Sequence, residues 1–207
     1  MHDVNGDFIN RDITGDGAEM WRAIRNACHG IRHRGALAYL AEEQPWEQFY
    51  RECFQSVLLP HFAFVYQSSC SGKMEEIISA DDKLLKQVPE LAAQRLRLSA
   101  AAVFQARGEG RGMGLLRQLG KKRPECSFTT AFALHATLFS LPLLQAAMAY
   151  VYLEWRMGSG TAGLVPEKPD EWQAIFSSDV IASAESIREA LAGHLTGWQS
   201  DAGFVCQ

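Results

Sequence analysis

Residues 107–166 read RGEGRGMGLLRQLGKKRPECSFTTAFALHATLFSLPLLQAAMAYVYLEWRMGSGTAGLVP. They join a charged helix start broken by glycines to a KKRP interruption and then to an apolar run. From Cys126 to Leu153 the chain has no Asp, Glu, Lys or Arg, a length sufficient to cross a bilayer. Thr129, Thr130, His135, Ser140, Pro142 and Gln145 are spread through it, however. Ser140 before Leu141-Pro142 reads as a helix start, because a hydroxyl accepts an orphan backbone N–H and proline is tolerated in a first turn. The run therefore divides into two helices, of about a dozen and about sixteen residues, each too short or too polar to span a membrane. Both suit a buried core.

The flanking sequence carries the same helical period. Patterning begins near Asp16 to Trp21 and continues to about Glu43. Pro45 opens a second segment, with Trp46, Phe49, Tyr50, Cys53, Phe54 and Val57 at helical spacing. Pro60 should kink or divide that helix, since it lacks a donor and crowds the previous turn. SSCSG, residues 68–72, reads as a loop. From Asp81 to Arg107, Leu84, Leu85, Val88, Leu91, Ala92, Leu98, Ala102 and Val103 make one stripe, broken near its first turns by Pro89. Gly108, Gly110, Gly112 and Gly114 mark a joint, and another helix follows to about Leu119. GSGTAGLVPEKP is a loop and PDEWQAIF a short helix. Val180, Ile181, Ala184, Ile187, Leu191, Leu195 and Trp198 then recur at steps of three and four. No period-two run occurs. The expectation is an all-α single-domain bundle of about eight to ten helices, with residues 1–17 a flexible leader, 18–199 the helical domain and 200–207 a flexible tail.

At 207 residues one such domain buries roughly 70% of its unfolded surface. The net charge of −4 provides no chain-wide attraction to nucleic acid or anionic membrane. Two basic clusters, Arg22/Arg25/Arg32/Arg34 and Lys121/Lys122/Arg123, read as solvated faces or turn edges. Cys28, Cys53, Cys70, Cys126 and Cys206 are odd in number and contain no CxxC, which is neither a disulfide framework nor a zinc knuckle. Reduced thiols in a cytoplasmic protein account for them, and the polar start MHDVNGDFINRD is not a signal peptide.

The chemical motifs are incomplete. DVNGDFINRD places Asp3, Asn5 and Asp7 like a calcium loop, but the turn glycine is replaced by Phe8 and the closing carboxylate by Thr14. GEGRGMGLLRQLGKK lacks the spacing and the Ser or Thr of a phosphate loop, and follows a helix rather than a strand. His29 and His33 are four apart beside Cys28, as metal ligands on a helix would be, with Gly30 weakening the helix between them. His61 and His135 sit in apolar surroundings and read as satisfied core histidines, with no carboxylate within one or two turns. There is no GxSxG, HExxH or paired-carboxylate motif. Glu154-Trp155-Arg156 closes the most apolar helix, where an ion pair at the helix end is expected. No cofactor or metal site is expected.

Read in order, several segments resemble the urease accessory protein F family. They are GALAYLAEE at 35–43, LLPHFAFVYQ at 58–67, and DDKLLKQVPELAAQRLRLSAAAVFQARGEGRGMGLL at 81–116. FTTAFAL, LPLLQAAMAYVYLEW and IASAESIREAL follow, so that together they cover most of residues 31–195. The family's leading Ser-Pro…Leu-Pro segment is replaced here by CHGIRHR. Its Pro-Leu-Gly-Gln signature survives only as TAGLVP, and its final His-Glu as Glu185 without the histidine.

The resemblance implies an all-helical, non-catalytic maturation factor. Such a protein bridges apo-urease, a scaffold protein and a nickel-delivering GTPase while the metallocentre forms, and is itself a homodimer, with no nucleic-acid or membrane partner. Carried over by motif, Gly35, Tyr39, Arg107, Glu109, Arg111, Met113 and Gly114 are the expected partner-binding residues, with Tyr39 an aromatic anchor and Glu109 and Arg111 charged contacts. The alternative is a small helical enzyme of the thiaminase- or haem-oxygenase-like class, which PWEQFYRECFQSVLLPHFAFVY also resembles. Cys126 and Glu154 are its only candidate nucleophile and acid.

Overall fold

The computed structural model describes residues 17–29, 46–104, 111–158, 171 and 184–201, and eight helices lie among them. In chain order α1 is Gly17–Cys28, α2 is 46–70, α3 is Met74–Gln87 and α4 is Glu90–Phe104. Then α5 is Arg111–Lys122, α6 is Phe128–Leu138, α7 is Leu143–Gly158 and α8 is Ala184–Asp201. No strand occurs among the described residues, so the fold is the all-α single-domain bundle expected from the periodicity. The Ca²⁺-loop-like leader, the expected loop GSGTAGLVPEKP after Gly158 and, apart from Glu171, the expected short helix at PDEWQAIF lie outside the described residues.

The charge-free run forms the middle of the bundle. Every residue from Phe128 to Ala136 is buried, because α2, α4 and α5 all pack on α6. A helix apolar on all faces is stable only when covered on all of them. Residues 143–154 of α7 are buried in the same way, with α1 and α8 packed against it. Tyr150 of α7 joins the layers: its ring lies 5.1 Å from that of Phe54, 5.2 Å from Phe62, 5.9 Å from Phe128 and 6.0 Å from Phe132. Tilted and offset aromatic pairs of this kind add to the stabilisation that buried area supplies. No described helix is long and apolar enough to cross a membrane.

α6 and α7 separate where expected, but Ser140 does a different job from the one its neighbours suggest. It has φ 50 and stands just past the end of α6. Its N–H bonds the Thr137 carbonyl at 3.1 Å, and the Leu141 N–H reaches the Ala136 carbonyl at 3.5 Å. This is a left-handed turn closing α6, not a cap opening α7. The cap of α7 is Pro142, whose carbonyl accepts from the Ala146 N–H at 2.9 Å. Proline suits that place because its missing donor would have had no helical partner.

Two prolines shape the other helices. Around Pro60 the chain stays helical throughout 46–70, but residues Tyr50–Leu58 are wound as a π-helix and the α-form resumes at Leu59. The Leu59 N–H bonds the Phe54 carbonyl, five residues back, and Pro60 follows without a donor to continue that ladder. The expected division is thus a change of winding. Pro89 does end a helix: Val88 before it is extended, at φ −87 and ψ 152, as the clash with a following proline ring demands. The stripe from Asp81 to Arg107 thus breaks at Pro89 as expected, into two helices, of which the first begins further upstream, at Met74. SSCSG is mostly helix as well; only Ser71 and Gly72 turn, with Gly72 at φ +71.

Candidate functional site

The residues carried over by resemblance divide sharply. Gly35, Tyr39, Arg107 and Glu109 lie outside the described residues. Arg111, Met113 and Gly114 stand in the first turn of α5. Gly114 is exposed, and a Cβ added there would meet nothing within 4 Å. On the opposite side Leu116 and Leu119 are buried, and a Cβ at Gly120 would come within 3.2 Å of the Phe104 ring. α5 thus turns Gly120 to the bundle and Gly114 to solvent.

The second basic cluster is a set of turn edges, as expected. Lys121 is exposed, Lys122 pairs with Glu75 at 2.6 Å, and Arg123 pairs with Asp82 and, at 3.4 Å, with Glu125. Cations at the C-terminal end of α5 also complement its dipole. Of the first cluster, Arg22 is exposed and Arg25 half-buried on α1; Arg32 and Arg34 lie outside the described residues. His29 is exposed, and His33 falls outside them too. Among the described residues no group of three or more His, Cys, Asp or Glu side chains is placed to hold a metal ion.

Where the chemistry does converge is the start of α6. Ser127 caps that helix, its hydroxyl oxygen accepting from the Thr130 N–H at 3.2 Å. Asp81 of α3 comes down onto the cap. Its Oδ1 accepts from the Ser127 hydroxyl at 2.6 Å, the Thr130 hydroxyl at 2.6 Å and the Ser127 N–H at 3.0 Å. Thr130 Oγ1 is in turn 2.7 Å from Nε2 of His61 on α2. Asp81, Ser127 and Thr130 are 0% exposed and His61 6%. Asp81 Oδ2 is buried without a hydrogen-bond partner among the described residues.

Two opposing causes act on that carboxyl. Burial raises its pKa above the usual carboxylate range, against the three hydrogen bonds and the Arg123 charge, which favour the anion. Burial also drives the His61 imidazole down to about 3. His61 and His135 are core histidines as expected, but His135 is satisfied on one side only, its Nδ1 being buried without a hydrogen-bond partner among the described residues. His135 Nε2 lies 3.1 Å from the Ala27 carbonyl, at the end of α1 where carbonyls lack helical partners. The carboxylate in His61's network comes from another helix, which a search within one or two turns could not find.

A second hydroxyl chain starts at the neighbouring threonine. Thr129 Oγ1 is 2.7 Å from the Tyr150 hydroxyl, which hydrogen-bonds Glu154 one turn along α7. Glu154 is 0% exposed, so the carboxylate that closes α7 lies in the core. Cys126 is buried in the loop before α6, and its thiol is pushed well up by burial and by Asp81 and Glu125. The Cys28 thiol is pushed well up by burial alone, against the Arg156 charge, and donates to the Ala149 carbonyl at 3.7 Å. Nucleophilic cysteines need the thiolate; these sites favour the thiol.

Sequence reasoning missed Asp81, Ser127 and Thr130 as a cluster. One signal was present: Met74, Ile77, Asp81, Leu84 and Leu85 are the buried positions of α3, so Asp81 stands where an apolar residue belongs. Ser127 immediately before an apolar run is the other. Comparison of the chain with protein-family models, with curated proteins and with solved structures found no match.

Proposed function

We propose that this chain is a non-catalytic helical maturation factor of the urease accessory protein F kind. It would bridge apo-urease, a scaffold protein and a nickel-delivering GTPase in the cytoplasm, as a homodimer. The order of the resembling segments along the chain supports the reading. The observation that carries it is where the candidate reactive groups lie: His61, His135, Cys28 and Cys126 are buried, and the hydroxyls of Thr129 and Thr130 are bonded inside the core. Groups so arranged stabilise a rigid body, and a rigid body presenting side chains on helices is what multi-partner docking requires.

On this reading Arg111, Met113 and Gly114 at the start of α5 belong to the docking face, together with Gly35, Tyr39, Arg107 and Glu109. Gly114→Trp tests it cleanly, because the position is open and exposed. The variant should keep the thermal stability of the parent, since glycine is the poorest helix former but proline. It should also lose co-purification with apo-urease and the GTPase. Full retention of both partners by a folded Gly114→Trp protein would remove α5 from the docking face. Failure of the parent chain to bind either purified partner would remove the reading itself.

A further inference from the structure

We propose that His61, Thr130 and Asp81 form a buried proton relay, which delivers one proton from solvent to Asp81 and reverses the hydrogen-bond chain joining α2, α6 and α3. The geometry dictates the starting state. An ionised carboxylate only accepts, so the Thr130 hydroxyl proton points at Asp81 Oδ1, 2.6 Å away. Thr130 Oγ1 can then only accept from His61 at 2.7 Å, which places the imidazole hydrogen on Nε2. The whole chain runs one way, from imidazole to hydroxyl to carboxylate.

Asp81 is 0% exposed and so are Ser127 and Thr130; His61 alone of the four retains exposure. Protons therefore enter at the imidazole. The transfer balances with a single proton taken up from water. Nδ1 of His61 gains it; the Nε2–H bond breaks as its proton passes to Thr130 Oγ1; the original Thr130 O–H bond breaks as that proton passes to Asp81 Oδ1. His61 ends neutral again, in the opposite tautomer, with Nε2 accepting from Thr130, and Asp81 ends as the acid donating to Thr130. The Ser127 hydroxyl has a second acceptor ready in Thr130 Oγ1, at 3.1 Å, so it need not lose its bond when Asp81 stops being a carboxylate.

The resting place of the proton follows from the surroundings. Burial disfavours both a charged imidazole and a charged carboxylate, and the loaded state carries neither. Facing Asp81 from the loop before α6 are Arg123, which favours the anion, and Cys126, whose thiol feels the Asp81 charge. Burial is what acts on His61.

Nitrogen-15 NMR of the histidine side chains in the intact chain, with carbon-13 NMR of the Asp81 carboxyl, tests the relay. As pH falls from about 7 towards about 4, His61 should pass from the Nε2–H to the Nδ1–H tautomer without becoming doubly protonated, at the same midpoint as the Asp81 carboxyl. His135 is the internal control: its partner is a carbonyl, which cannot donate, so its tautomer should not change. Asp81→Asn and Thr130→Val should each abolish the pH response of the His61 tautomer, and Thr130→Ser should restore it. The wild-type spectrum decides the matter even if a variant does not fold. Double protonation of His61 while Asp81 stays ionised overturns the relay, as does loss of the fold with His61 still in the Nε2–H form. A tautomer that still tracks Asp81 in a folded Thr130→Val protein also overturns it.

Discussion

The two ends of α6 are built by different means. At its start, Asp81, Ser127, Thr130 and His61 satisfy the helix terminus with buried side chains drawn from α3 and α2. At its finish, Ser140 adopts φ 50 and the backbone closes on itself. The first solution depends on residues distant in sequence and fails badly if one is removed, because the others are left desolvated and unpaired. The second is local, and its weakness is a modest conformational strain. Buried polar side chains thus make the beginning of α6 a point where the tertiary structure is checked, and its end a simple turn.

Removing the hub of the polar end should produce the largest effect. Asp81→Ala removes the acceptor that three donors share, of which the Ser127 hydroxyl has a second acceptor within reach, and the expected loss is about 3 kcal/mol, read by urea denaturation. A loss below about 1 kcal/mol would mean that solvent reaches the cap and that the two ends do not differ as described.

Acid should separate the ends next. Below about pH 6.5 the unfolded chain protonates its histidines, whereas the folded chain keeps His61 neutral to about 3 and His135 to about 4. The native state then binds fewer protons, so these contributions are complete above about pH 6.5 and are lost as pH falls towards those values. The slope expected is about 1.4 kcal/mol per pH unit for each histidine. Asp81 acts with the opposite sign: its carboxyl is raised, so its contribution is present at low pH and lost as pH rises through its folded value. Stability measured between about pH 6.5 and about 4.5 should fall, and His135→Gln should lessen the slope by about 1.4 kcal/mol per pH unit. An unaltered slope in that variant would show that the imidazole bonded to Ala27 is not held neutral.

The smallest effects belong to the turns. Gly72 and Ser140 occupy equivalent left-handed positions after α2 and α6, but only one is glycine. Gly72→Ala should cost about 1 kcal/mol, and Ser140→Gly should add up to about 1 kcal/mol. The change in melting temperature should have opposite sign in the two variants. The same sign in both would refute the equivalence.

The apolar stripes and the prolines made most of the helices legible: α6 and α7 follow from the charge-free run, and the end of α3 follows from Pro89. Local pattern misled where one residue type has two uses. Serine before Leu-Pro is a cap by habit, but Ser140 closes the preceding helix because the chain must reverse there between two buried segments. Asp81 marked only the start of the stripe read from Asp81 to Arg107, whereas α3 begins at Met74 and buries Asp81 on the same face as Met74 and Ile77.

Helical period, the absence of charge from 126 to 153 and the placing of proline follow from covalent chemistry and short-range sterics, so they could be read along the chain. Which carboxylate meets which histidine could not. Asp81 and His61 are brought to Thr130 by the packing of three helices, and the protonation of each depends on how much water that packing excludes. Such a property belongs to no residue alone; it arises from burial, and burial exists only once the helices have come together.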